Sequence, residues 1–139
     1  MIAILEDDKR REMAMREELV RLHPGVEVIF FDNAPDMVAW LKDNSNYVRL
    51  FCLDHDLGLN RKREDREFDP GIGRDVADFL ATPEPRCPIL IHTSNIDGAY
   101  GMQFALEGAG WMVEKIAPMD DLSWIKDRWS ERVVALIKV

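Results

Sequence analysis

The chain has 139 residues and a formal net charge of −8, from 18 lysines and arginines against 26 aspartates and glutamates. This length predicts one globular domain, residues 1–139, whose core needs no disulfide or metal to fold. The acidic balance excludes a general nucleic-acid binder, because phosphate backbones attract clustered basic residues. The apolar start is too short for a signal peptide and no apolar stretch is long enough to cross a bilayer, so we expect a cytoplasmic protein without membrane contact.

Short apolar runs alternate with amphipathic segments along the whole chain. The runs predict five strands, at residues 2–5, 26–31, 48–54, 89–93 and 111–116. The segments after them predict five helices, at about residues 8–22, from a cap at Asp32 or Asn33, at about 73–81, at about 98–107, and from a cap at Asp120 or Asp121 to the end. Near-continuous apolar strands separated by helices predict a doubly wound α/β fold, in which helices flank a five-stranded parallel sheet.

One highly charged segment departs from this alternation. Every residue from 61 to 69 is charged except Phe68, and Gly58, Gly71 and Gly73 lie on either side. We therefore expect an exposed loop insertion or short hairpin at about residues 59–72. Two interpretations remain open, and the first is favoured: a solvated loop, or a lid that meets a phosphate through Arg61, Lys62, Arg63 or Arg66.

Polar side chains collect where the predicted strands end. They are Glu6, Asp7 and Asp8 after the first strand, Asp32 after the second, Asp54, His55 and Asp56 after the third, Thr93, Ser94 and Asn95 after the fourth, and Lys115 in the fifth. In doubly wound folds, ligands bind beyond the carboxyl ends of the strands. These residues therefore define the predicted site.

Three of these carboxylates suggest a metal ion. Glu6, Asp7 and Asp54 would repel one another unless a cation lay between them, and oxygen ligands of this kind suit Mg2+, with another divalent cation as the alternative. Acidic residues at strand ends also cap the helices that follow, which is the competing interpretation. Lys115 and the hydroxyl of Thr93, together with that of Ser94, would complete a cradle for a phosphoryl group.

The order of these motifs resembles that of two-component receiver domains. "AILEDD" matches the acidic pair at Glu6 and Asp7, and "LFCLDHDL" places Asp54 at the phosphoacceptor position. "CPILIHTS" matches the fourth-strand pattern with Thr93, and "EGAGWMVEK" matches the fifth with Lys115. The resemblance implies a flavodoxin-like (βα)5 receiver fold that binds Mg2+ and accepts a phosphoryl group on Asp54.

Several positions depart from the receiver pattern. Ile116 stands where receivers have a proline after the lysine, Met112 stands at their aromatic switch position, and Gly58 replaces an early loop proline. His55 and His92 occupy positions where receivers generally carry apolar residues. We therefore expect the site to differ in chemistry from that of an ordinary receiver.

These departures resemble a narrower family, the cyclic-phosphate-processing receiver domains, in "DHDLG", "HTSN" and "GW". That resemblance implies a site redirected to cyclic phosphates, such as a cyclic nucleotide or an RNA end. His55 and His92 are then the candidate acid and base, since histidine titrates near neutral pH. Asn95 would orient an oxygen of the substrate, and Asp56 would hold a histidine tautomer or join the metal ligands.

Strand geometry limits this hypothesis, because successive strand residues point to opposite faces. His92 and Thr93 therefore enter one site only if the strand bends between them, and the same holds for Asp54 and His55. Three functions remain open: an enzyme or sensor for a cyclic phosphate, a receiver phosphorylated on Asp54 that signals to a partner protein, and a pseudo-receiver that only binds a partner protein. The sequence leaves enzymatic activity undecided.

Overall fold

The computed structural model describes residues 1–119 and 121–138. Its elements in chain order are β1 (Ile2–Leu5), α1 (Lys9–Leu22), β2 (Val28–Phe31), α2 (Ala34–Asn44), β3 (Leu50–Leu53), β4 (Arg61–Arg63), β5 (Arg66–Phe68), α3 (Gly73–Leu80), β6 (Ile89–His92), α4 (Ile96–Gly108), β7 (Val113–Ile116) and α5 (Ser130–Leu136). Five strands form a parallel sheet in the order β2-β1-β3-β6-β7. This confirms the predicted doubly wound, flavodoxin-like α/β fold.

Caps explain where two of the helices begin. Asn33 caps α2, since its Oδ1 accepts the backbone N–H of Asp36 at 2.8 Å, which decides between the two predicted caps. Asn95 caps α4 by accepting the N–H of Gly98 at 2.8 Å, so this helix begins at Ile96 and not at the predicted residue 98. A capping side chain satisfies backbone donors that the first helical turn leaves free.

The last helix begins differently from its prediction. Asp120 lies outside the described residues, and Asp121 contributes only its backbone carbonyl, which accepts the indole N–H of Trp124 at 3.1 Å. A π-helical turn, Ile125–Trp129, precedes α5 and has no side-chain cap. Within the described residues no side chain caps this turn, so Asp121 does not form the predicted cap there, and the apolar side chains of the segment are buried in the core.

Strand alternation divides the core into two faces. Even-numbered strand residues such as Ile4, Cys52 and Leu90 pack against α1 and α5, and we call this side the α1/α5 face. Odd-numbered residues such as Leu53 and Ile91 pack against α2, α3 and α4 on the opposite face. Because parallel partners such as Cys52 and Leu90 lie in register, each face keeps one parity along these central strands.

The charged insertion contains an antiparallel hairpin of β4 and β5. Arg61 Nη2 lies 2.8 Å from Asp32 Oδ1, and Arg63 makes two contacts with the Asp36 carboxylate, at 3.1 and 2.5 Å. Phe68 lies under both guanidinium groups, at 5.5 and 4.4 Å from its ring centroid. Two of the four basic residues of the lid hypothesis are thus paired with acidic residues of the domain.

Among residues 1–119 and 121–138, no helix combines the length and the apolar character that a membrane span requires.

Candidate functional site

Three polar side chains meet on the α1/α5 face at the carboxyl end of the sheet. Glu6, Asp54 and His92 each lie two residues beyond a core residue of that face, so strand alternation carries them to the same side. One ligand atom from each lies within 4.8 Å of the others. Their exposed fractions are 0%, 4% and 0%, and we call them the buried trio.

One hydrogen bond joins two members of the buried trio, and two others come from neighbouring backbone N–H groups. His92 Nε2 lies 3.2 Å from Glu6 Oε1, and Glu6 Oε2 accepts the backbone N–H of Asp8 at 3.0 Å. Asp54 Oδ1 accepts the backbone N–H of His55 at 2.7 Å. His92 Nδ1 is buried without a hydrogen-bond partner among the described residues, so this ring keeps one nitrogen unused.

Arg11 on α1 faces the buried trio, and the sequence analysis did not identify it. Its Nη1 lies 3.8 Å from Glu6 Oε1 and 4.0 Å from Asp54 Oδ2. Its guanidinium carbon lies 5.5 Å from the ring centroid of Trp124, which also stacks on His92 at 6.0 Å with an interplanar angle of 30°. The sequence feature that could have identified Arg11 is its position in the first turn of a helix that directly follows the acidic segment.

Burial and mutual contacts set the charges of these carboxyl groups. Burial raises the pKa of Asp54 to about 7, with Glu6 adding to the rise while His92 and Arg11 oppose it. Burial also pushes the pKa of Glu6 upward, but hydrogen bonds from His92 and the Asp8 backbone, with Arg11 nearby, outweigh it and leave that pKa lowered. Glu6 is therefore the ionised carboxylate of the pair at neutral pH, while Asp54 titrates there.

The donor set of the buried trio fits a divalent cation. Two carboxylates and an imidazole converge within 4.8 Å, with His92 Nε2 facing Glu6. Carboxylate oxygens alone would suit Mg2+ or Mn2+. An imidazole among the ligands shifts the preference away from Mg2+ and towards Mn2+, Fe2+ or Zn2+. Of the predicted metal ligands, the structure brings Glu6 and Asp54 together and adds His92, while Asp7 and Asp56 lie outside this group.

Asp7 is half-buried beside the loop that follows β3. A Cβ atom placed on Gly58, whose φ is +77°, would lie 3.1 Å from Asp7 Oδ2. Burial raises the pKa of Asp7, and the charge of Glu6 raises it further. Gly58 thus permits the close approach of this loop to the acidic segment, where a side chain and a proline would both be strained.

A second group of polar side chains, the surface trio, consists of His55, Asp56 and Asn95. His55 Nδ1 lies 2.7 Å from Asp56 Oδ1, and Asn95 Nδ2 lies 3.2 Å from the same oxygen and 3.4 Å from His55 Nδ1. Hydrogen bonding to His55, followed by that from Asn95, lowers the pKa of Asp56. An ionised Asp56 only accepts hydrogen bonds, so the proton between these two side chains belongs to His55 Nδ1.

Two glycines allow the surface trio to assemble. A Cβ atom on Gly98 would lie 2.7 Å from His55 Cγ and Cδ2, so the imidazole packs directly on the backbone of α4. A Cβ atom on Gly73 would lie 1.9 Å from the carbonyl oxygen of Asp54, so α3 also begins in close contact with this loop. The glycines of α3 and α4 therefore bring two helix N-termini against the loop that carries His55.

The remaining predicted residues lie around these two groups. Thr93 is buried, and its Oγ1 accepts the backbone N–H of Asn95 at 3.1 Å, while Ser94 is exposed. Lys115 Nζ lies 3.5 Å from the ring centroid of Tyr100 on α4. Lys115 pairs with Ile91 in the sheet and so shares the face opposite the buried trio. The structure thus does not bring Lys115 together with Glu6 and Asp54.

The two candidate histidines also separate. His92 ends β6 on the α1/α5 face under Trp124, whereas His55 packs on Gly98 of α4. This is the separation that strand alternation predicts. The acid and base of the initial hypothesis therefore do not face each other across one pocket.

Solved structures support the fold at low sequence identity. The phosphorylated cyanobacterial phytochrome response regulator RcpA is 17% identical, with a TM-score of 0.72 over 98% of this chain and 92% of that one. A response regulator receiver domain from Rhodospirillum rubrum is 16% identical, with a TM-score of 0.67 over 96% and 93% of the two chains. The Mn2+-bound form of response regulator Rcp1 is 16% identical, with a TM-score of 0.67 over 99% and 95%.

Sequence comparison is more specific. A search of curated proteins finds no match. The family described as the cyclic-phosphate processing receiver domain matches residues 2–108, which include both trios but end before Lys115. This match covers most of the chain and agrees with the predicted resemblance. The chain therefore belongs to the family of cyclic-phosphate processing receiver domains.

Proposed function

We propose that this domain binds a cyclic phosphodiester at the surface trio and opens its ring by adding water. The observation that carries the proposal is the 2.7 Å contact between His55 Nδ1 and Asp56 Oδ1. A carboxylate that holds the Nδ1 proton of a histidine fixes the ring tautomer and leaves Nε2 as a base. The family description, which concerns cyclic-phosphate processing, supports the same substrate class.

The proton movements follow from this tautomer. His55 Nε2 takes a proton from water while the water oxygen forms a bond to phosphorus, and one ring P–O bond breaks. In-line displacement places the departing oxygen opposite the water, so this oxygen takes its proton from solvent and the imidazolium later releases its own. Asp56 stabilises the imidazolium, because the lowered pKa of Asp56 keeps its charge at neutral pH.

The surroundings of His55 suit an anionic substrate. Asn95 caps α4, and its exposed neighbour Ser94 offers a hydroxyl at the same helix N-terminus, where backbone N–H groups and the helix dipole favour a phosphate. Asn95 Nδ2 also donates to Asp56 and so holds the surface trio in place. A phosphate at this position lies beside the imidazole that activates the water.

We also propose that Glu6, Asp54 and His92 hold a divalent cation, which would stabilise negative charge near the phosphate when bound. The Mn2+-bound relative Rcp1 supports a divalent cation in a fold of this kind. The backbone N–H of His55 donates to Asp54 Oδ1, so the two trios are joined at this hydrogen bond. Asp54 therefore positions the loop that carries the base.

Incubation with a 2′,3′-cyclic nucleotide and Mn2+, followed by removal of the Mn2+ with a chelator and phosphorus NMR of the products, tests the proposal. We expect one ring-opened monoester to form. In His55→Gln its rate of formation should fall by about a hundredfold or more, which is the contribution typical of a positioned base. Asp56→Asn should lower the rate as well, because an amide does not fix the same tautomer. His23→Gln, at the far end of α1, is the matched control and should retain the wild-type rate. An intact cyclic phosphate with the wild-type protein would contradict the proposal for this substrate.

A second candidate function is phosphorylation of Asp54, followed by signalling to a partner protein. Its support is the position of Asp54 directly after the central strand β3, beside β6, which Thr93 follows directly. The 4% exposure of Asp54 and the nearby Arg11 oppose it, since a phosphodonor must reach this carboxylate. Acetyl phosphate in a second NMR tube would give an acyl phosphate that is lost in Asp54→Asn if this function holds.

A further inference from the structure

We infer that Arg11 is a built-in cation that competes with a divalent metal for the buried trio. The inference rests on the proposed cation site, but it does not depend on cyclic-phosphate chemistry. It assigns to Arg11 the control of metal affinity, and to Trp124 the role of the surface that holds the guanidinium in place.

The competition follows from shared ligands. Arg11 Nη1 lies 3.8 Å from Glu6 Oε1 and 4.0 Å from Asp54 Oδ2, and both carboxylates are also donors of the buried trio. A divalent ion coordinated by these oxygens would lie within a few ångströms of a guanidinium that cannot lose its charge. Two cations at that distance in a buried site repel strongly, so the ion binds only as Arg11 moves away.

Arg11 has somewhere to move. Its side chain is 24% exposed, whereas those of Glu6 and His92 are fully buried. It extends from the first turn of α1, whose backbone is capped by Asp8 independently of this side chain. A rotation of the side chain into solvent therefore clears the carboxylates without unfolding the helix.

Trp124 couples this movement to the last helical segment. Its indole lies 5.5 Å from the Arg11 guanidinium carbon and stacks on the His92 ring, and it immediately precedes the π-helical turn Ile125–Trp129. A cation over an indole gains energy from the ring, and departure of Arg11 removes that contact. Metal binding should therefore change the environment of Trp124 directly.

The donor set also selects the metal class. An imidazole beside two carboxylates favours Mn2+, Fe2+ or Zn2+ over Mg2+, which binds oxygen ligands and keeps its waters. Mg2+ is at a further disadvantage, because its bonds to these ligands are weaker and any ion that binds must also displace the guanidinium. We expect Mn2+ and Zn2+ to bind more tightly than Mg2+.

Electron paramagnetic resonance of free Mn2+, recorded on the intact chain without any phosphate, measures the affinity. Arg11→Met should lower the Kd for Mn2+ by about tenfold or more, because the competing charge is gone. Arg10→Met removes the same charge from an exposed neighbour and is the matched control. His92→Gln should raise the Kd for Zn2+ more than that for Mg2+.

Tryptophan fluorescence gives a second measurement that needs no Arg11 variant. Zn2+ should shift the emission of the wild-type protein, and Trp124→Phe should abolish most of that shift while metal binding persists. The inference is overturned if Arg11→Met binds Mn2+ no more tightly than Arg10→Met, if Mn2+ fails to bind either, or if the Zn2+ response survives in Trp124→Phe. Loss of ring opening with normal metal behaviour would instead contradict the proposed function alone.

Discussion

Asp54 and His55 are consecutive in the chain, yet they belong to regions with opposite physical properties. Asp54 joins the buried trio, in which His92 contacts Glu6 and beside which the Arg11 guanidinium lies. His55 joins the surface trio, whose Asp56 side chain is 64% exposed. The comparison shows how one strand end supplies two groups of polar side chains: alternation sends Asp54 to a buried group and His55, itself 13% exposed, to a group that reaches the surface through Asp56.

The largest expected difference concerns stability. Glu6→Gln keeps the size of the side chain but removes the charge that faces Arg11 and His92, and it should lower the free energy of unfolding by about 3 kcal/mol. Asp56→Asn makes the same chemical change at an exposed position and should cost less than about 1 kcal/mol. Urea denaturation with a chelator present measures both. Equal losses of unfolding free energy in the two variants would show that burial does not make the buried trio more sensitive than the surface trio to the loss of a charge.

The pH dependence should have opposite signs at the two sites. The pKa of Asp54, raised to about 7 by burial, means that the folded state binds more protons than the unfolded state above about pH 4. The contribution of Asp54 to stability is thus complete at about pH 4 and is lost as the pH rises through about 7. Asp54→Asn should therefore gain stability relative to wild type as the pH rises from about 4 to about 8.

Asp56 supplies the control for this titration. The pKa of Asp56 is lowered by His55, so its contribution is present above its ordinary pKa and is lost as the pH falls. Asp56→Asn should consequently lose stability relative to wild type as the pH rises from strongly acidic values. Thermal melts of both variants, recorded across the pH range with a chelator present, test these directions. If the stability of the two variants relative to wild type changes with pH in the same direction, the assigned directions of the pKa shifts are wrong.

A smaller effect tests the packing of His55 on α4. Gly98→Ala places a methyl group 2.7 Å from the imidazole, and this overpacking should cost about 1–3 kcal/mol and displace the ring from Asp56. Gly108→Ala, in the same helix with nothing within 4 Å of the added carbon, should instead stabilise the protein by up to about 1 kcal/mol. Denaturation and the imidazole NMR signals of His55 report the two outcomes, and an unmoved His55 signal in Gly98→Ala would contradict this packing.

The smallest expected effect is at Lys115. Its exposed contact with the Tyr100 ring is worth about 0.5–1 kcal/mol, and Lys115→Met should leave ring opening unchanged. A lysine that stabilised the phosphate would behave differently, since loss of such a group typically lowers the rate by about a hundredfold or more. Ring-opening rates measured by phosphorus NMR therefore show whether Lys115 stabilises the phosphate or only contacts Tyr100.

The sequence was sufficient for the elements of the fold and for most of the candidate residues at the strand ends. Periodicity and caps such as Asn33 predicted the strands and most helix starts, because local spacing determines which residues become buried. The rule that ligands bind beyond parallel strand ends picked out five of the six trio residues as candidates, and His92 became a candidate through its departure from the receiver pattern. Alternation also predicted that Asp54 and His55 would share one site only if the strand bends between them.

Tertiary structure decided how those candidates combine. The register of β7 beside β6 places Lys115 on the α4 side, and spacing within the chain does not determine that register. The reach of Arg11 to Glu6 and Asp54, and the position of Trp124 over His92, depend on how α1 and the last helical segment pack on the sheet. Local sequence thus determined which polar groups stand at the strand ends, whereas long-range packing decided which charges are compensated, because Coulomb and desolvation energies depend on distances between segments that are far apart in the chain.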